Sequence, residues 1–162
     1  MTGPERYSEA YAASHGRFSV IPAAYVFLRR DDRVLLQLRA GTGYHDGYWA
    51  AGAAGHVEQG EHLLAAAVRE VREELGVDVT ASDLEFLTVE HRTGAGAAVD
   101  ERIDFFFACT TWDGEPALQE DKATDLRWFP LDALPDPVVP HERLALESWY
   151  RGTLRPITPV GF

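Results

Sequence analysis

The stretch from Glu61 to Leu75 constrains this chain more than any other, because its spacing puts two very different faces on one helix. Leu64, Ala67, Val68, Val71 and Leu75 recur at the intervals that align side chains on an α-helix and form a single apolar stripe. Gly76 follows where a left-handed C-cap is expected. Glu70, Glu73 and Glu74 share another face, spread over about 100° of the helix surface. Three carboxylates at that spacing repel one another by a few tenths of a kcal/mol per pair, and Arg69 and Arg72 are placed to offset part of it. The stripe belongs in a core. The acids are either a solvated face or the oxygen donors that a hard divalent cation such as Mg²⁺ or Mn²⁺ takes.

Around this helix the pattern alternates strands and turns. Phe18 to Arg29 reads as a strand, Asp31-Asp32 as a hairpin turn and Arg33 to Arg39 as the returning strand. Ala40 to Tyr48 is a glycine-rich loop, and Trp49 to Gly55 a brief strand. Leu84 to Arg92 is a strand and Thr93 to Ala98 a loop. Arg102 to Trp112 is a long apolar strand that needs cover on both faces. Asp113-Gly114 turns the chain, Leu126 to Phe129 is the last short strand, and after a proline-rich connection His141 to Arg151 is a C-terminal helix. The expected architecture is an α/β sandwich in which a mixed sheet is covered by helices on both sides. The chain reads as one domain over residues 17–155, with residues 1–16 and 156–162 as tails and a short helix near Ser8 to Tyr11.

A formal net charge of -11 argues against a polynucleotide partner, which selects for a basic footprint. It leaves small phosphorylated ligands open, since a bound cation offsets the repulsion locally. Cys109 is the only cysteine and sits in the apolar run Phe105 to Cys109, so it reads as a buried small residue rather than a nucleophile. The first residues lack the apolar core of a signal peptide and no stretch has the length of a membrane span, so the expected location is the cytoplasm.

The residues flanking the acidic face decide between the two readings. From Gly55 to Val77 the chain reads GHVEQGEHLLAAAVREVREELGV, with Gly55, Glu61, Arg69, Glu70, Val71, Glu73, Glu74, Gly76 and Val77 at the nine fixed positions of the Nudix box. In this the chain resembles the Nudix hydrolases. The order of strands, the segment Leu126 to Leu131 and Leu134-Pro135 extend the resemblance over most of Phe18 to Pro135. The resemblance implies a Nudix-type α/β/α sandwich and a Mg²⁺- or Mn²⁺-dependent hydrolase. The enzyme would cleave the diphosphate linkage of a nucleoside diphosphate joined to another group. It implies that Glu70, Glu73 and Glu74 ligate the metal together with the Gly55 carbonyl, and that Glu74 is a candidate to act on the attacking water. Arg69 would orient the glutamates and Glu61 would hold the loop to the helix. One departure stands out: where many members carry Leu-Pro-Gly-Gly before the box, this chain has Ala50-Ala51-Gly52-Ala53-Ala54-Gly55.

Further positions carry weaker signals. Glu120, with Asp121, precedes the last strand where the family often places a general base. Glu58 lies at an unspecified box position that often holds a glutamate in the family, which makes it a candidate for the metal and substrate site. Arg39 ends a strand beside the glycine-rich loop and is placed to reach a phosphate or a base, while His45 and Trp49, with Asp46 and Tyr48, are candidates to line a substrate pocket. Arg102 is a thinner candidate for a substrate contact, and His56 and His62 match no zinc spacing. Two alternatives remain: a catalytically silent nucleotide-sensing domain, which commonly lacks box glutamates that are all present here, and an isopentenyl-diphosphate isomerase, which needs a catalytic cysteine that Cys109 does not resemble. A homodimer is an expectation from family habit alone.

Overall fold

The computed structural model describes residues 11, 13–14, 19–94 and 101–162. Eight strands form one mixed sheet: β1 (Ile21–Arg30), β2 (Arg33–Arg39), β3 (Trp49–Ala51), β4 (Ala53–His56), β5 (Leu84–Arg92), β6 (Arg102–Cys109), β7 (Ala123–Pro130) and β8 (Ile157–Val160). Among the described residues, two α-helices, α1 (Leu63–Leu75) and α2 (Pro140–Arg151), cover it. The path runs β3-β2-β1-β6-β5-β8, with β4 paired to β1 and β7 to β2. β1 pairs parallel with β6, and β5 with β8, while the other ladders are antiparallel. β1 is shared between two parts of the sheet: Ala23 to Val26 pair with β4, and only Arg29 and Arg30 pair with β2.

The alternation of β6 explains the two layers. Phe105, Phe107 and Cys109 face one way, into a core with Val26, Leu28, Val71 and Leu75 under α1. Phe106 and Ala108 face the other way, with Tyr25, Phe27 and Leu146 under α2. An apolar side chain of this size contributes about 1.5–3 kcal/mol when fully buried, so both stripes have a strong reason to stay down. The mixed sheet covered on both faces is the α/β arrangement the sequence predicts. No helix among the described residues is long and apolar enough to cross a membrane.

Several boundaries differ from the sequence reading. α1 begins at Leu63, because His62 caps it by accepting the Ala65 N–H, and Glu61 is left outside the helix. The Trp49–Gly55 segment is two strands broken at Gly52, where a Cβ would press to 3.1 Å from a methyl of Leu75. β7 is longer than Leu126 to Phe129, because β2 offers partners from Arg33 to Arg39. Nor is it the last strand. The expected tail at 156–162 contains β8, which pairs beside β5; local pattern does not reveal a strand whose partner lies far back in the chain. The short N-terminal helix and the loop to Ala98 fall largely outside the described residues.

Candidate active site

Arg69 is the hub of the acidic face. Its Nε and Nη2 donate to the two oxygens of Glu61 at 2.9 and 3.0 Å, its Nη1 to Glu70 Oε1 at 2.6 Å and to Glu73 Oε2 at 3.1 Å, and its Nη2 also to the His56 carbonyl at 3.1 Å. Glu61 is free to take this role because it precedes the helix. The hydrogen bonds from Arg69, with that from the Glu58 N–H, hold its carboxyl down at about 2. The guanidinium fork thus ties the β4–α1 loop to the helix and fixes Glu70 and Glu73 from one side.

Glu70 lies in a cradle that only glycine provides. An added Cβ on Gly55 would sit 2.0 Å from Glu70 Oε1, so the absent side chain is the space the carboxylate occupies. Burial pushes the Glu70 carboxyl up, and the Arg69 hydrogen bond opposes it. Glu74, one turn on, is also buried; its Oε2 accepts from Gln37 Nε2 on β2 at 2.9 Å. Burial pushes Glu74 up to about 8, and the charge of Glu70 adds to that. Glu73 is the exposed member of the three.

Among the described residues no three His, Cys, Asp or Glu side chains are gathered tightly enough to enclose an ion as they stand. The donor set nevertheless fits one. Arg69 and Gln37 engage one oxygen of each carboxylate, and Oε2 of Glu70, Oε1 of Glu73 and Oε1 of Glu74 accept no hydrogen bond from any described residue. Three unengaged carboxylate oxygens on adjacent turns, two of them on buried groups whose proton affinity a neighbouring carboxylate raises, are the hard, negatively charged ligand set that Mg²⁺ or Mn²⁺ takes. The helix face is therefore neither splayed nor sealed by arginine.

Beside it opens a cavity of about 480 Å³. Glu74 of α1 and its partner Gln37 line one side, Glu142 of α2 and Tyr25 the other, and Gly55, Arg39, His56, Arg92, Arg102 and Lys122 also contribute. Arg39 is where the sequence reading puts it, held by hydrogen bonds to the Tyr44 carbonyl and Thr42 Oγ1 with its guanidinium over the Tyr44 ring. Arg102 also lines the wall and donates to His56 Nε2 at 2.8 Å. Glu120 pairs with Lys122 at 2.7 Å, and its charge reaches Glu74. That brings it to the neighbourhood of the acidic face, although it is not itself part of the cavity wall.

Three expected substrate residues are elsewhere. Trp49 is buried in the α2-side core, edge-on to Phe129 and under the Arg127 guanidinium, because β3 pairs it with Leu38. His45, at φ 48, packs between Tyr44 and Tyr48, off the cavity wall. Its loop folds on itself, the Asp46 carboxylate accepting from the Thr42 and Gly43 N–H groups and the Thr42 hydroxyl. Glu58 is exposed and off the wall, engaging Glu61 through its backbone, whose N–H donates to the Glu61 carboxylate and whose carbonyl accepts the Glu61 N–H. Sequence reasoning missed Gln37, Tyr25, Arg92, Lys122 and Glu142. Gln37 alone had a visible signal, as the one uncharged polar side chain in the apolar strand RVLLQLR.

The family model of the NUDIX domain matches residues 20–149. Isopentenyl-diphosphate Delta-isomerase 2 of Aromatoleum aromaticum is 32% identical over 75% of this chain and 65% of its own length. The NAD-capped RNA hydrolase NudC of Pseudomonas aeruginosa is 35% identical over 70% of this chain and 37% of its own. The chain therefore spans about two thirds of the isomerase and just over a third of NudC. Among solved structures, a MutT NUDIX hydrolase from Burkholderia pseudomallei superposes with a TM-score of 0.72 at 30% identity, over 80% of this chain and 97% of that one.

Proposed function

Since this chain belongs to the Nudix family, we propose that it is a hydrolase dependent on Mg²⁺ or Mn²⁺ that cleaves the diphosphate linkage of a small nucleotide-type substrate. The observation that carries the reading is the set of unengaged oxygens on Glu70, Glu73 and Glu74, with Glu70 seated in the Gly55 cradle and Glu74 on the wall of the cavity that Arg39 and Lys122 also line. These three carboxylates and the Gly55 carbonyl would hold the cation. A bound divalent ion supplies charge neutralisation on the diphosphate oxygens and a lowered pKa for water.

The chain's own residues do the rest. Arg39 and Lys122 offset phosphate charge. Arg69 keeps the glutamates oriented through contacts that a point charge does not reproduce. Glu74, which lines the cavity, takes the proton of the attacking water; Glu120, tied to Lys122, is the second candidate for this step. The water oxygen bonds to phosphorus, the bridging P–O bond breaks, and the leaving phosphate departs with its electron pair.

The decisive assay is chelation followed by addition of Mg²⁺ or Mn²⁺, with a panel of nucleoside triphosphates, nucleotide sugars, dinucleoside polyphosphates and isopentenyl diphosphate. Metal-dependent release of phosphate or pyrophosphate from a nucleotide is expected. Full turnover after exhaustive chelation refutes the mechanism, and nucleotide binding without turnover favours the sensing domain. The isomerase reading has the named relative in its favour. Against it, Cys109 is 1% exposed, packs in the α1-side core and donates to the Thr111 carbonyl, away from the cavity wall. Arg69→Lys is expected to lower kcat/KM by about 10–100-fold and to raise the metal concentration for half-maximal activity, the size typical of lost orienting contacts. A metal titration of both proteins checks it, and unchanged curves remove Arg69 from the site.

A further inference from the structure

The cavity has a second polar wall that the diphosphate chemistry leaves unused. Glu142, in the first turn of α2, is 3% exposed and faces the sheet instead of solvent. Its Oε2 accepts the Ala51 N–H at 2.5 Å. Its Oε1 accepts a hydrogen bond from no described residue, although the side chain lines the cavity. A buried carboxylate with a single donor is under-satisfied. The two arginines whose charge reaches it are engaged elsewhere: Arg39 with Tyr44 and Thr42, and Arg92 with Asp104 at 2.8 Å.

The surroundings reinforce the deficit of donors. Glu90 and Asp104, register partners on β5 and β6, are 1% and 0% exposed, and Glu90 Oε2 and Asp104 Oδ1 have no hydrogen-bond partner. The charge of Asp104 reaches Glu142, and that of Glu142 reaches Glu90. The Tyr25 hydroxyl, on the same wall, is 3.2 Å from Nε2 of the buried His141. Arg92 and Arg102 line the cavity as well, but the oxygen left without a donor on Glu142 calls for an N–H or O–H group.

We propose that this wall binds the non-phosphate head of the substrate through hydrogen bonds that the head donates, with Glu142 Oε1 as the specificity-determining acceptor. The inference rests on the hydrolase reading, whose phosphate end lies on the Glu74 side of the same cavity. The donors are either an amino group of a nucleobase or the hydroxyls of a ribose. A purely structural Glu142, pinning β3 to α2 through Ala51, would leave substrate choice untouched.

The test uses matched pairs at pH 8, above the value of about 7 to which burial pushes Glu142. GTP against ITP and ATP against purine riboside triphosphate differ by one amino group, and ATP against 2′-deoxy-ATP by one hydroxyl. Adenosine and purine riboside are also titrated calorimetrically without metal. The wild type is expected to favour the donor-bearing member of at least one pair by about tenfold or more in kcat/KM, the scale of one unpaired buried polar group. Base discrimination assigns the donor to the amino group, and ribose discrimination assigns it to the hydroxyl. Glu142→Gln keeps an acceptor for Ala51 and turns an NH₂ toward the cavity, so the favoured ratio should collapse to one or below with little change in the melt. A wild type that discriminates in no pair and in neither titration overturns the proposal, whether or not the variant folds. A well-folded variant with unchanged ratios also overturns it. Adenosine bound in preference to purine riboside, with no nucleotide hydrolysed, would sink the hydrolase reading and leave this one standing.

Discussion

Gly55→Ala is expected to remove activity by about 10²-fold while the protein still folds. The added Cβ would lie 2.0 Å from Glu70 Oε1 and 2.1 Å from its Cδ, well inside contact distance. What it strikes is the far end of a flexible side chain, so the strand and helix can stay in place while the carboxylate swings away. Overpacking of this kind costs about 1–3 kcal/mol, which a thermal melt reads as a modest drop. The displaced Glu70 loses its hydrogen bond to Arg69 and its place beside Glu74, and the loss of a positioned ligand or its support costs about 10–100-fold. Activity within a few-fold of wild type would mean that Glu70 takes no part in holding the cation. Unfolding instead would assign Gly55 a structural role larger than the contact predicts.

Glu74→Gln separates stability from function. Activity is expected to fall by about 10²–10⁴-fold, the range for a lost general base, and a metal ligand goes with it. Stability without metal should move the other way at alkaline pH. The Glu74 carboxyl ionises near 4.5 in the unfolded chain and near 8 in the native one. Between those values the native state holds a proton that the unfolded state has released, so stability declines as pH rises through this window. Above pH 8 the buried charge is present at full cost, whereas glutamine retains an oxygen for the Gln37 hydrogen bond without the charge. Melts in chelator are therefore expected to agree near pH 5 and to diverge by pH 9, with the variant higher by up to a few kcal/mol. A variant that melts lower than wild type at pH 9 would show that Glu74 is not held protonated by its surroundings.

These two substitutions also mark how far the site was legible in one dimension. The acidic face, its separation from the apolar stripe and the glycine cap all follow from helical periodicity, which is set within four residues and survives any packing. Gly55 and Glu61 entered through the resemblance of the box, and the structure supplies their physical reasons: a carboxylate occupies the missing side chain, and a residue just before the helix is free to grip Arg69. Arg39, at the end of its strand beside the glycine-rich loop, lines the cavity, where a strand's end opens onto space.

The loop residues behaved differently. Trp49 and His45 have the right chemistry for a nucleotide pocket, yet strand pairing buried one and a self-closing turn directed the other away. Which side of a short strand faces a cavity depends on register with a partner, and register is a property of two segments together. Glu142 shows the converse. As the acid in the first turn of a helix it looks like an ordinary dipole partner, and only the docking of α2 on the sheet carries it to Ala51 and the cavity.

The chain alone thus determined most of the elements, the carboxylate face and the family, because each is written in spacings that local geometry converts directly into shape. The tertiary structure decided which side chains meet in the cavity, why position 55 must lack a side chain, and that the C-terminal residues complete the sheet. Those outcomes depend on contacts between segments distant in sequence, whose pairing is set by the joint burial of both partners.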